Sequence, residues 1–367
     1  ARASDRIGPV RRQPVRYMAA VCSLRSSRQR SVIVFYSSPS NKGSDMLPGK
    51  NELMICCAHP AYQLHNELAA RNLGIQSFQV QTRDELARRL AEADVLVVSG
   101  FWRNDLLQAA PRLKFIQSIG AGTDQFDRDL LRQKSVRLAS AQGVNERAVS
   151  QHAMALILAM ARRLPEARDN QVRHVWRGMI SDLDQREDEL TGKTLLIIGL
   201  GRIGGRLAGL AKAFGMTVIG VRRDPDAGAN GADSVHRFDR LPQLLPEADF
   251  VALTCPLTAE TQNIIDAGAL ARMKPSAVLV NAARGRCVDE AALIAALQRG
   301  EINGAALDVT VEEPLAPTSP LWDMPNVFIT PHTAGETRHY EKNVVDILIE
   351  NLERLWRGET TLRNEIV

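Results

Sequence analysis

The chain has 367 residues, too many for one ordinary core, so two domains are expected. With 45% hydrophobic and 24% charged residues it belongs to neither the disordered nor the fibrous classes. The formal net charge of +4 comes from the front, where Arg2, Arg6, Arg11, Arg12, Arg16, Arg25, Arg28 and Arg30 face one acid, Asp5; the near-neutral remainder argues against a nucleic-acid surface.

Residues 1–51 are rich in Arg and Ser, and a disordered N-terminal extension is expected there, in preference to an organelle-targeting segment. The apolar run at 31–36 is too short to span a bilayer, and no other segment is a membrane candidate. The five cysteines, Cys22, Cys56, Cys57, Cys255 and Cys287, have neither C-x-x-C nor metal-ligand spacing. Reduced thiols in a cytoplasmic protein without a metal are the expectation.

From Glu52 the pattern alternates. Apolar runs at 52–57, 75–80, 95–100, 114–118 and 136–139 predict buried strands, with helical stretches such as 85–93 between them. Such alternation favours a parallel α/β sheet. A helix over 145–164 is apolar nearly all round and must be buried, between domains or between subunits. A second series follows, with strands predicted at 194–198, 217–221, 250–253, 277–281, 305–309 and 327–330. The last helix, 336–357, carries Val344, Leu348, Leu352 and Leu355 on one face, with Gly358 as its terminating residue.

Between the first strand of that second series and the next helix stands Gly199-x-Gly201-x-x-Gly204. The spacing alone is weak, but the strand–turn–helix context is the one a dinucleotide fingerprint requires. The first Gly permits the tight turn, the second lets the backbone approach a pyrophosphate, and the third lets helix and strand pack closely. The free N–H groups and positive dipole end of the helix then face the phosphates. The next strand runs into Arg222-Arg223-Asp224, where an acid would hold a ribose 2′-hydroxyl. Two guanidinium groups suit a 2′-phosphate, so NADP(H) is favoured. NAD(H) is the alternative, with Asp224 as the ribose acid.

Three later segments, "NAARGRCVDEAAL", "ALDVTVEEPL" and "TPHTAG", combine charge with Gly and Pro. With "SIGAGTD", "ELTGKTLLIIGLGRIG", "ADFVALTCPLTAETQNIID" and "HAMALILAMARR", they make the chain resemble the D-isomer-specific 2-hydroxyacid dehydrogenases, the family of phosphoglycerate, glyoxylate/hydroxypyruvate and D-lactate dehydrogenases. The resemblance runs from about Glu52 to the C-terminus. It implies an α/β fold of two Rossmann-like doubly wound parallel-sheet domains, the nucleotide domain (145–334) inserted into a substrate domain (52–144 and 335–367).

The resemblance assigns Arg284 to the substrate carbonyl and carboxylate, Glu313 as the orienting carboxylate and His332 as the acid–base. Reducing a 2-oxo acid puts a proton on the carbonyl oxygen, which an imidazolium near neutral pH can supply. A neighbouring carboxylate favours that charged form, and an Arg polarises the carbonyl. Taken singly, Arg284 would read as well as an ion-pair partner and His332 as an ordinary loop histidine; their company with the other motifs reverses this. The remaining histidines, His152 included, are left structural or exposed.

The resemblance further places the backbone of Ile119, Gly120, Ala121 and Gly122 at the substrate carboxylate. It places Arg202 and Ile203 at the pyrophosphate, Cys255 and Pro256 near the adenosine, and Ala282 and Asp308 near the nicotinamide. It implies a homodimer formed through the 145–164 helix and a small 2-oxo or 2-hydroxy acid as substrate. Ser150-Gln151-His152 departs from the family's usual Ala-Glu-His, which bears on packing more than on chemistry. Alternatives are a formate or phosphite dehydrogenase, where the formate enzymes carry Gln in place of Glu313, and a nucleotide-sensing corepressor-like binder of the same fold.

Overall fold

A computed structural model describes residues 47–367. The extension expected at 1–51 lies outside the described residues up to position 46. Leu47 is buried, and Pro48 accepts a hydrogen bond of 2.8 Å from the indole of Trp356.

Five strands, β1 (Met54–Ala58), β2 (Gln76–Val80), β3 (Val95–Val98), β4 (Phe115–Ser118) and β5 (Arg137–Ala139), form a parallel sheet in the order β2-β1-β3-β4-β5. Between them run α1 (Leu64–Ala70), α2 (Arg83–Arg89) and α3 (Arg128–Gln133). Thr82 caps α2 by accepting from Glu85 N–H, and Asp127 caps α3, so these polar residues fix where each helix begins. β1, β3 and β4 are buried almost throughout, which is why they read as continuous apolar runs rather than alternating ones.

The predicted helix over 145–164 is α4 (Glu146–Ala161), which stops three residues early, and a separate helix, α5 (Leu164–Val172), follows it. Arg163 between them is left-handed at φ 49°, and Pro165 cannot donate into a continuing helix. The apolar face of α4 is covered within the chain: Ala153, Met154, Leu156 and Ile157 share a core with Leu195, Ile197 and Val280 of the second sheet.

That sheet has seven parallel strands: β6 (Thr194–Ile198), β7 (Thr217–Val221), β8 (Ser234–His236), β9 (Phe250–Leu253), β10 (Val278–Asn281), β11 (Gly304–Leu307) and β12 (Val327–Ile329). Their order is β12-β11-β10-β9-β6-β7-β8, so the direction of winding reverses between β6 and β9 and opens a crevice at the carboxyl ends of those strands. β8 has no counterpart among the predicted strands: three residues with no fully buried member leave no apolar signal. The helices here are α6 (Arg202–Ala213), α7 (Leu241–Leu244), α8 (Ala267–Leu270) and α9 (Glu290–Arg299); α9 is capped by Asp289 and ends at Gly300, φ 66°.

The chain then returns to the first sheet. α10 (Tyr340–Trp356) puts Val344, Val345, Leu348 and Leu352 into one core with Leu53, Ile55, Val95 and Phe115. Its start lies four residues later than predicted, and a turn at Arg338 and His339, closed by Tyr340 N–H donating to Thr337 O, leads into it. Gly358 follows it at φ 70°, as its position predicted. Buried Asn351 donates to Gln117 Oε1 at 3.1 Å, and the final residues pair with Leu138 beside β5. Among the described residues, no helix is long and apolar enough to cross a membrane.

Candidate active site

The glycine turn between β6 and α6 is dictated by space. Gly199 has φ 103°, and a Cβ there would meet the backbone N and Cα of Cys255 at 2.5 and 2.6 Å. At Gly204 a Cβ would stand 2.5 Å from Gly199 O and 3.1 Å from Ile197, so only glycine lets α6 pack this close to β6. Gly201 differs: a Cβ would meet nothing within 4 Å, and α6 begins there without a side-chain cap. Exposed amide groups facing open space at a twelve-residue helix start are what a pyrophosphate needs. The residues present therefore fit a dinucleotide.

A cavity of about 580 Å³ runs along this turn. Gly199, Gly201, Arg202, Ile203, Arg222, Arg223, Cys255, Pro256 and Ala282 all line it, together with Arg284. Gly204 does not, in keeping with its packing duty. Arg222 donates to Gly228 O at 3.2 Å, and the mostly exposed Arg223 stands 3.9 Å from Glu260. Asp224 lines the cavity too, and its Oδ1 accepts from Asp226 N–H at 3.1 Å.

A second cavity, of about 370 Å³, adjoins the first and lies between the carboxyl ends of the two sheets. Gly120, Ala121 and Gly122 line one wall, and their N–H groups donate to no other group among the described residues. Ile119 is placed otherwise than expected: its N–H donates to Val98 O, its carbonyl accepts from the Tyr340 hydroxyl, and its side chain is buried in the core. As the last residue held in the sheet ladder it has no free amide to offer a ligand.

Opposite stand Arg284, Ala282, Asp308 and His332. Arg284 donates through Nη1 to Ala283 O at 2.7 Å, while Nη2 reaches the glycine wall so closely that a Cβ on Gly122 would lie 2.5 Å from it. Thus a guanidinium carried by the second sheet meets a loop carried by the first.

His332 has φ 55°, rare for a residue with a side chain; such strain costs about 1–3 kcal/mol and persists only where neighbours hold it. The holders are visible. His332 N–H donates to Asp308 O at 2.8 Å, and the buried Asp308 carboxylate gathers the Thr330 hydroxyl (2.6 Å) and the N–H groups of Thr333 (3.0 Å) and Ala334 (3.1 Å). His152 donates in turn to Thr330 Oγ1 at 2.9 Å, a supporting position that its isolation in sequence concealed.

Nδ1 of His332 lies 2.6 Å from Glu313 Oε2, and Glu313 Oε1 accepts from Thr310 N–H at 3.2 Å. An ionised carboxylate only accepts, so the proton sits on Nδ1 and Nε2 is left to exchange with the pocket. The Glu313 hydrogen bond raises the His332 pKa above its ordinary value, outweighing the opposing effects of burial and of Arg284. Burial pushes Glu313 toward protonation, but the hydrogen bond and charge of His332, with Thr310 N–H and Arg284, hold its pKa below the ordinary value.

Other residues lining this cavity escape the sequence reading, among them Tyr62, Asp124, Glu336 and Tyr340. They come from loops and helix ends, where no periodicity singles out a residue. A third concavity, of about 670 Å³, is formed by residues around α5 and Trp176 and contains no member of the predicted site.

The sequence profile described as "D-isomer specific 2-hydroxyacid dehydrogenase, NAD binding domain" matches residues 154–334. The chain is 38% identical over 283 residues to D-3-phosphoglycerate dehydrogenase of Methanocaldococcus jannaschii, covering 76% of this chain and 52% of that protein. It therefore spans about half the length of that relative. It is 37% identical over 303 residues to glyoxylate/hydroxypyruvate reductase B of Yersinia enterocolitica, covering 81% of this chain and 92% of the reductase. Among solved structures, the TT0316 protein of Thermus thermophilus superimposes with a TM-score of 0.75 at 32% identity, over 86% of this chain and all of that one. With a turn built for a dinucleotide and relatives aligned over most of its length, the chain belongs to the D-isomer-specific 2-hydroxyacid dehydrogenase family, and its seven-stranded half contains the nicotinamide-dinucleotide-binding domain.

Proposed function

We propose that the protein is an NADP(H)-preferring reductase of small 2-oxo acids, of the glyoxylate or hydroxypyruvate kind, interconverting them with D-2-hydroxy acids. The observation that carries this reading is the Glu313–His332 pair facing Arg284 and the glycine wall across one cavity. When bound, the nicotinamide supplies the hydride or accepts it. In reduction, the substrate carboxylate meets the N–H groups of Gly120, Ala121 and Gly122 and the guanidinium of Arg284. Arg284 also polarises the carbonyl, and His332 Nε2–H gives its proton to the carbonyl oxygen as negative charge develops there. Glu313 stabilises the imidazolium that precedes this transfer and fixes the ring's tautomer. In oxidation, neutral His332 takes the proton back. Asp308, with its oxygens committed to Thr330, Thr333 and Ala334, serves by holding the His332 loop.

NADP(H) preference is supported by Arg222 and Arg223, which line the cavity just after β7. A homodimer is supported by the segment after α4 rather than by α4 itself, which is covered. Val172, Val175, Trp176, Met179 and Leu183 are exposed, Trp176 and Met179 almost completely. Buried free thiols at Cys56, Cys57, Cys255 and Cys287 support a reducing compartment such as the cytoplasm.

The test is absorbance at the nicotinamide band with NADPH and separately NADH, offering glyoxylate, hydroxypyruvate and pyruvate in turn. Faster oxidation of NADPH by the two-carbon or hydroxylated acid is expected. No oxidation, with tight binding of either cofactor, would overturn the enzyme reading in favour of a nucleotide-sensing binder.

A further inference from the structure

The smaller cavity has a charge pattern that the reaction itself does not require. Among the described residues Arg284 is the only Lys or Arg lining it, and under the reading above its charge is taken by the substrate's own carboxylate and carbonyl. Three carboxylates line the same space. Asp308 is buried and spends its oxygens on Thr330, Thr333 and Ala334. Glu336 is different: its carboxylate accepts no hydrogen bond and forms no ion pair among the described residues. Its charge is felt at Tyr62 from the other half of the cavity, where burial first and Glu336 second raise the phenol pKa. Asp124 adds a further carboxylate beside the glycine wall, its Oδ2 3.5 Å from the Cβ position of Gly122.

We propose that Glu336, with Asp124 supporting it, is a specificity-determining residue that makes the pocket a charge filter. It admits 2-oxo acids whose tail is neutral, favours a tail bearing a hydroxyl, and rejects a tail bearing a second anion such as a carboxylate or phosphate. This rests on the 2-oxo-acid reading of the site. A hydroxyl can donate to the unpartnered Glu336 carboxylate. A second anion would meet that carboxylate with no further Lys or Arg lining the cavity to pair it, and like charges at contact range repel. Discrimination of this kind works by repulsion, so it is lost when the repelling group is neutralised.

The experiment compares wild type, Glu336→Gln and Glu336→Lys. The first readout is the ratio of kcat/KM for hydroxypyruvate to that for oxaloacetate. The second is the dissociation constants of D-glycerate and D-malate with the reduced cofactor bound, which need no turnover. Wild type should favour the neutral-tailed member of each pair by at least about tenfold, as repulsion at an effective dielectric near 20 implies. Glu336→Gln should remove most of that preference and Glu336→Lys should invert it. Equal binding of D-glycerate and D-malate by wild type, or ratios that neither variant moves, would overturn the filter. Selective binding without reduction of any 2-oxo acid would overturn the catalytic reading and leave the filter standing.

Discussion

Substituting Gly122 by Ala tests the meeting of the two halves of the site. Gly122 is not among the glycines with positive φ, so its backbone accepts a side chain without left-handed strain. The new Cβ would stand 2.5 Å from Arg284 Nη2, whereas ordinary contacts begin near 3.4 Å. The guanidinium must therefore retreat by about 0.9 Å, the difference between those distances. It is the free end of a flexible side chain, so folding should suffer little, and Tm should fall by no more than a few degrees. Displacing a substrate-binding group by about 1 Å can cost about 10²-fold in rate. Gly122→Ala should accordingly lose about two orders of magnitude in kcat/KM for glyoxylate while the dissociation constant for NADPH hardly changes. Steady-state kinetics beside a cofactor titration measures both. Undiminished kcat/KM would refute the placement of Arg284 against this loop, and parallel loss of cofactor affinity would mean that the change had spread to the dinucleotide turn.

Glu313→Gln removes the hydrogen bond that raises the His332 pKa. Because reduction needs the protonated ring, its rate falls as pH rises through the His332 pKa, so in the variant the fall should begin at lower pH. The loss above neutrality should be about 10–150-fold, the worth of a hydrogen bond between charged groups; an unmoved pH limb in kcat/KM would exclude this pairing. Arg222→Asp should lower kcat/KM for NADPH by about tenfold or more and shift preference toward NADH. An unchanged cofactor ratio would put the ribose contact elsewhere. Trp176→Ser combined with Met179→Ser should convert a dimer into a monomer in size-exclusion chromatography with light scattering; elution like wild type would rule out this surface as the interface.

Three glycines between an apolar strand and a helix announce the dinucleotide turn from the sequence alone, and the sterics at Gly199 and Gly204 bear the pattern out. The same holds for the buried strands, whose continuous apolar runs reflect coverage on both faces. Capping residues and a Pro at the start of α5 mark helix limits locally too. Tertiary structure decided what distant segments do together. Only the return of the chain after β12 could show that α10 closes the core beneath the first sheet. Only the facing of the two sheets could show that Arg284 reaches Gly122, and that Ile119, held by Val98 and Tyr340, has no amide left for a ligand. His152 and Tyr62 acquire their places through Thr330 and Tyr340, far along the chain, and Glu336 through the opposite wall of a cavity. Local sterics and periodicity are written along the chain; the charge pattern of a pocket arises only when folding brings remote side chains within reach of one another.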